Sequence, residues 1–155
     1  MGRINRGKDF EEQIRKGFNA VRNTTVTRLL DPQNGYAGVR NICDFIVYHY
    51  PVQYFIECKS CYGNTLPFSN ITENQWRGLL NVSQTYGVVA GYLIWFIDKD
   101  ETIFVSAENM EQLKKDGFKS FNITKWDRED WYHLRGHKRR VLFDYDMKDF
   151  FDKIK

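Results

Sequence analysis

Asp44, twelve intervening residues and then Glu57-Cys58-Lys59 put two carboxylates and an ammonium into one short stretch of this chain. Hydrolysis of a phosphodiester needs an activated water, neutralised charge on the phosphate and help for the leaving oxygen, and a divalent cation held by carboxylates supplies all three. Mg²⁺ prefers oxygen ligands and keeps several waters, so two carboxylates and a backbone carbonyl are enough to hold it. Lys59 would aim its charge at the same phosphate. Neighbouring carboxylates favour the ammonium form of a lysine. Stabilising transition-state charge, or positioning the water, therefore suits Lys59 better than removing a proton. Taken alone the spacing is a weak signal, and a salt-bridged, half-exposed strand pair is the plain alternative. The setting strengthens it: a charged triplet among Phe, Ile, Val and Cys is costly unless it serves a site.

These residues meet only if the chain between them turns back. Residues 41–50 and 53–60 are β-rich and flank Tyr50-Pro51, which predicts an antiparallel hairpin. With a turn symmetric about that pair, paired positions sum to 101, so Asp44 faces Glu57 and Cys43 faces Cys58. Side chains alternate along a strand. One face then carries Cys43, Phe45, Val47, Tyr54, Ile56 and Cys58 as core, and the other carries Asp44, Glu57 and Lys59. A slip of one residue would send one strand's side chains to the opposite face.

Other elements frame the hairpin. Phe10, Ile14, Phe18 and Val21 recur at helical spacing over residues 6–21, with Glu11 at the border of that stripe. Residues 22–36 read as polar and irregular, and Asp31-Pro-Gln-Asn-Gly35 is a turn signal. Leu66-Pro-Phe-Ser-Asn70 reads as a loop. Thr72-Glu-Asn-Gln75 is a capping box that opens a helix to about residue 85, with Trp76, Leu79, Leu80 and Ser83 on its inner side. Residues 88–97 form an apolar strand, 102–105 a returning strand, and 107–116 a helix closed by Gly117. Residues 118–140 have no clear period, and 146–154 are amphipathic. The order α-β-β-α-β-β-α predicts an α/β sandwich with a mixed central sheet, as one domain over residues 1–155.

Cys43-Asp-Phe45 followed by Phe55-Ile-Glu-Cys-Lys59 resembles the core of the PD-(D/E)xK nucleases. Asn5-Arg-Gly-Lys-Asp-Phe-Glu11, Leu66-Pro-Phe-Ser-Asn-Ile71 and Asn74-Gln75 extend the likeness to RecU-type Holliday junction resolvases, over residues 2–105. The resemblance implies a restriction-endonuclease-like fold, a Mg²⁺ or Mn²⁺ cofactor, and a homodimer that cuts four-way DNA junctions in recombination and repair. It implies that Asp44, Glu57 and the Cys58 carbonyl hold the metal and that Lys59 is the catalytic lysine. Glu11 becomes the acid that reaches the site through water or a second ion, with Glu12 as its rival. Gln75 becomes the residue that orients Lys59 or the phosphate, unless it is simply a helix cap. Cys43 stands where that family's pattern favours Thr, and the long basic stalk of bacterial members has no counterpart. A shortened member from a bacteriophage or mobile element would account for the compactness.

The net charge is only +3, so partners are read from where the charge lies. Residues 1–40 hold eight basic and four acidic residues, and Arg135-Gly-His-Lys-Arg-Arg140 is a second basic run. Such patches suit a phosphate backbone; Arg3, Arg6, Lys8, Arg135, Lys138, Arg139 and Arg140 are the candidate DNA contacts. The 12 Phe, 9 Tyr and 4 Trp are core with some surface rings; Trp126 and Trp131 read as core, with a DNA-facing platform as the alternative. Three cysteines without scaffold spacing, and no signal or membrane-spanning segment, predict a cytoplasmic protein. Cys58-x-x-Cys61 lacks a second pair, and Gly136 argues against a helical His133/His137 metal pair. Three functions remain open: a nuclease for branched DNA, a restriction-like or general nicking nuclease, and a DNA-binding protein that kept the fold without catalysis.

Overall fold

The computed structural model describes residues 5–30, 40–125 and 131–155. Its centre is a six-stranded mixed sheet in the order β1 (Thr24–Arg28), β2 (Phe45–His49), β3 (Val52–Cys61), β5 (Val88–Phe96), β6 (Glu101–Ser106) and β8 (Tyr132–His133). Neighbours are antiparallel except β3 and β5, which run parallel. A parallel pair needs a crossover, and α2 (Glu73–Ser83) lies within it. Helices α1 (Arg6–Asn19) and α4 (Met147–Lys153) pack on one face of the sheet, and α2 and α3 (Ala107–Lys115) on the other. Two short ribbons complete the described residues: β4 (Thr65–Pro67) with β7 (Ser120–Asn122), and β9 (Gly136–Arg139) with β10 (Leu142–Tyr145).

β5 is the keel. Leu93 and Trp95 enter the core beneath α1 and α4, while Tyr92, Ile94 and Phe96 enter the core beneath α2 and α3. A strand buried on both faces reads as a continuous apolar run, which is why this segment stands out in the sequence. On α1, Phe10, Ile14 and Phe18 are buried and Asn5 caps the first turn by accepting the Lys8 N–H. Each of those side chains contributes about 1.5–3 kcal/mol by leaving water.

The β2–β3 hairpin has the expected register, from Phe45 opposite Ile56 to His49 opposite Val52. The Tyr50–Pro51 peptide at its turn is cis. The expected strand over residues 41–50 is shorter, because the chain enters the ladder only at Phe45. Cys43 therefore does not share the face of Phe45 and Cys58; it packs in the other core, with Trp76 and Leu79. Alternation applies only where the ladder exists.

Three further expectations are corrected. Residues 24–28, read as irregular, form edge strand β1 paired with β2. Residues 66–70, read as loop, contribute to β4 and then a 3-10 turn. The unassigned stretch contains β7, β8 and β9, so the seven-element order undercounts the strands. In keeping with the argument against a helical pair, His133 and His137 lie on two different strands. The turn signal at residues 31–35 and Trp126 lie outside the described residues. Trp131 is buried.

Candidate active site

β3 presents Glu57 and Lys59, and β2 begins one residue after Asp44. Because the chain departs the ladder at that point, the Asp44 side chain takes over a ladder bond: the Cys58 N–H donates to Asp44 Oδ2 at 2.8 Å. On its other side the Asp44 carbonyl accepts the Leu29 N–H at 2.8 Å, while its own N–H donates to the Ile56 carbonyl at 3.1 Å. Asp44 is thus held from both flanking strands.

Glu57 is the outlier of the core, a carboxylate only 2% exposed. Its Oε2 accepts a hydrogen bond from Gln75 Nε2 at 2.5 Å and lies 3.9 Å from Lys59 Nζ. Lys59 Nζ in turn donates to Gln75 Oε1 at 3.3 Å. Gln75 therefore bridges the acid and the lysine. It is also the cap: its Oε1 accepts the Thr72 N–H and its own N–H donates to Thr72 Oγ1, closing the box. Gln75 thus caps α2 and at the same time hydrogen-bonds both Glu57 and Lys59.

Burial pushes the Glu57 carboxyl well above the usual carboxylate range, and a hydrogen bond to the Asp44 carboxyl and its negative charge add to this. Lys59 opposes the shift, and Glu11 reinforces it. Glu11 pairs with Arg28 of β1 at 2.5 Å, whereas its rival Glu12 pairs with Arg15 on α1 itself. Of the two acids, Glu11 is the one whose field reaches Glu57. Arg28 escaped attention as a site residue; a β-branched run, Thr24-Thr-Val-Thr, ending in an arginine was the available signal.

The donor set fits a divalent cation of the Mg²⁺ or Mn²⁺ kind. Among the described residues no group of three or more His, Cys, Asp and Glu is gathered to hold a metal. Two carboxylates close enough to share a hydrogen bond nevertheless form a pair of oxygen donors, and such ions bind through one or two carboxylates with water completing the shell. The Cys58 N–H points toward Asp44; an extended residue sends its carbonyl to the same edge. The thiols do not compete as chemistry. Burial pushes Cys43 up to about 12 and Cys61 up to about 11, and raises Cys58 as well, the reverse of a reactive cysteine.

The basic candidates gather on one side. β10 packs against α1, and the Tyr145 ring lies edge-on to Phe10, so the hairpin β9–β10 stands beside the N-terminal helix. Lys8, Arg135 and Arg140 are exposed, with Arg140 at the hairpin turn. Arg6 lies 3.9 Å from Asp9, Lys138 pairs with Asp100, and Arg139 pairs with Asp144. Arg3 lies outside the described residues.

A mixed sheet here delivers two acids and a lysine from adjacent strands, a set of groups suited to phosphodiester hydrolysis with a divalent cation. A family model for Recombination protein U, RecU, matches residues 19–145. That is most of the chain, and the chain belongs to the RecU family. The match includes Asp44, Glu57, Lys59, Gln75 and the basic run at 135–140; Glu11 precedes it. Among solved structures, Hjc, a Holliday junction resolvase from the archaeal hyperthermophile Archaeoglobus fulgidus, aligns with a TM-score of 0.47 and 17% identity, over 66% of this chain and 78% of that one. No curated protein matches the chain. No helix among the described residues is long and apolar enough to cross a membrane.

Proposed function

We propose that this chain is a recombination endonuclease that resolves four-way DNA junctions with a divalent cation held by Asp44 and Glu57. The observation that carries the reading is the Glu57–Gln75–Lys59 bridge beside an Asp44 anchored on the Cys58 N–H. Capping accounts for the amide, but no packing need calls for a buried carboxylate beside a half-buried lysine on a sheet, where burying charge is expensive.

Asp44, Glu57 and the Cys58 carbonyl would hold Mg²⁺ or Mn²⁺. When bound, the ion supplies a polarised water and charge neutralisation at the phosphate. Lys59, steered by Gln75, places its ammonium where negative charge grows in the transition state. Glu11 contributes a further negative group at the edge of the pocket, through water or a second ion, and Arg28 keeps it in place. Lys8, Arg6 and the residues of the 135–140 run would grip the DNA backbone, with Arg3 as a further contact, because phosphate contacts supply affinity without sequence preference. Cutting two opposed strands symmetrically calls for two copies of the site, so the working form is a twofold homodimer.

The test is cleavage of a synthetic four-way junction with Mg²⁺ or Mn²⁺, beside linear duplex, chelator and Lys59→Ala. Cleavage should vanish with chelator. It should fall about 100- to 1000-fold in Lys59→Ala, the loss seen when one transition-state donor is removed, with junction binding retained. Equal cutting of linear duplex would replace junction resolution by general nicking. Unchanged function in Lys59→Ala would leave a DNA-binding protein without catalysis.

A further inference from the structure

Charged residues make up 28% of this chain, yet residues 23–27, 45–56 and 78–97 hold no Asp, Glu, Lys or Arg. The fold brings these stretches to one corner. Tyr48 of β2 pairs with Thr25 of β1 and with Gln53 of β3, and Gln53 pairs in turn with Val88 of β5. Paired residues share a face. The row lies on the side of α2 and α3, because the adjacent Val26, Val47, Val52 and Val89 all enter the opposite core. The Gln53 N–H donates to the Gly87 carbonyl at 2.9 Å, so the segment holding Tyr86 lies against the start of β3. His49, the one titratable group of the β2–β3 turn besides its tyrosines, faces away and stacks on Phe151 at 4.2 Å.

Among the described residues this corner is open. Helices α2 and α3 pack over β3, β5 and β6, and Thr25, Thr27, Tyr48 and Gln53 stay exposed. β1 is also an edge of the sheet. Sheets blunt their edges with charge, proline or brevity. The far edge, β8, is two residues long, whereas β1 has five, without proline and uncharged until Arg28. Three rings stand out beside the row: Tyr48 is 46% exposed, Tyr50 78% and Tyr86 104%. Together they offer roughly 300–500 Å² of surface, at about 150–250 Å² per aromatic side chain. That is about half of the ~800 Å² that each partner gives to a stable interface. Thr25, Thr27, Gln53 and the exposed Gln84 enlarge it.

We propose that this corner is the surface through which two copies of the chain join as a twofold dimer. The proposal rests on the nuclease reading above, which calls for two opposed sites, and names the surface that pairs them. A twofold interface sets a patch against its own image. Charge near the axis would meet its like, and an uncharged patch avoids that repulsion. Tyrosine is enriched, and charge depleted, at the centre of protein interfaces. DNA does not suit this corner, since its phosphates would find no cation there. Phe55 follows Gln53 on the same face of β3, with Glu57 next but one, so the interface runs from the turn toward the site. It leaves the basic side at α1 and β9–β10, on the other face of the sheet, open to DNA.

The experiment is sedimentation equilibrium of the full chain without DNA, followed by cleavage of a four-way junction. The wild type should be a dimer at micromolar concentration. Tyr48→Glu combined with Tyr86→Glu should weaken the dimer about 100-fold or more, and so should Tyr48→Lys combined with Tyr86→Lys. An equal mixture of the two variants should dimerise again, because unlike charges then face each other. Tyr62→Glu serves as control: that exposed ring lies past the other end of β3, and the dimer should survive its loss. Should circular dichroism show that the charges disturb folding, Tyr48→Ser combined with Tyr86→Ser gives the same reading at about tenfold. On the junction, each charged variant alone should nick single strands, and the mixture should cut the opposed pair. A monomeric wild type, a dimer indifferent to both charged pairs, or a mixture that stays monomeric would overturn the proposal. A dimer that responds as expected in a chain that cuts nothing would keep the interface and sink the nuclease reading. Junction cleavage by a dimer that ignores these variants would do the reverse.

Discussion

Glu57 carries the central tension of the site. Water has been taken from a carboxylate that sits against a second one, so without a cation the cheaper state holds a proton. Its folded pKa lies above its unfolded value, so the folded protein binds more protons between the two. The stability contributed is therefore complete below the ordinary carboxylate range and is lost as pH rises toward the folded value. Glu57→Gln imitates the protonated group. In chelator, this variant should melt higher than the wild type near pH 8, by about 1–3 kcal/mol, with the gap closing toward pH 5. It should also be inactive. Thermal melts across pH read this directly, and a variant less stable near pH 8 would refute a proton on Glu57. The same logic gives cation affinity its sign: binding must expel the proton, so affinity should rise with pH.

At the scale of elements, the site is an agreement between the β2–β3 hairpin and the first turn of α2. Two substitutions that do not touch the acids test it. A Cβ on Gly78 would lie 2.2 Å from Ile42 Cγ2 and 2.6 Å from Ile42 Cβ, two residues before Asp44. Alanine gains about 1 kcal/mol in helix propensity, yet overpacking costs about 1–3 kcal/mol. Gly78→Ala should therefore lower stability, and it should weaken cation binding because the Ile42–Asp44 segment must shift; calorimetric titration checks the second effect. Thr72→Ala removes the cap at about 1 kcal/mol and loosens Gln75. Its kcat should fall at unchanged junction affinity, and Thr72→Ser should restore it. A loss of stability alone would confine Gln75 to capping.

For the whole molecule, a net charge of +3 means that DNA affinity depends on placement of charge rather than its total. The packing of β10 on α1 brings the two basic stretches, more than a hundred residues apart, to one side. Lys8→Ala and Arg140→Ala should each weaken binding to junction and duplex alike. Each should reduce the salt dependence of binding by about one counterion. Binding titrations over a salt series measure both. A variant that loses junction binding only would place that residue at the branch instead.

Short-range physics is legible in a sequence. The Tyr50-Pro51 turn admits one symmetric pairing, so the meeting of Asp44, Glu57 and Lys59 could be read from spacing, and the ladder bears out that register. The capping box spans three residues and was equally plain, as were the stripe on α1 and the doubly buried β5. What no local pattern carries is contact between distant segments. The burial of Glu57 exists because α2 closes over β3. The Glu11–Arg28 pair and the double duty of Gln75 exist because helices and strands dock at particular angles. β1 and the short strands after residue 118 were missed for the same reason: each takes its hydrogen bonds from a neighbour and has too few buried residues to show a period of its own. The chain determined which acids and which lysine would be brought together; tertiary packing decided how dry their surroundings are and which neighbours hold them, because desolvation and long-range pairing are properties of the folded whole.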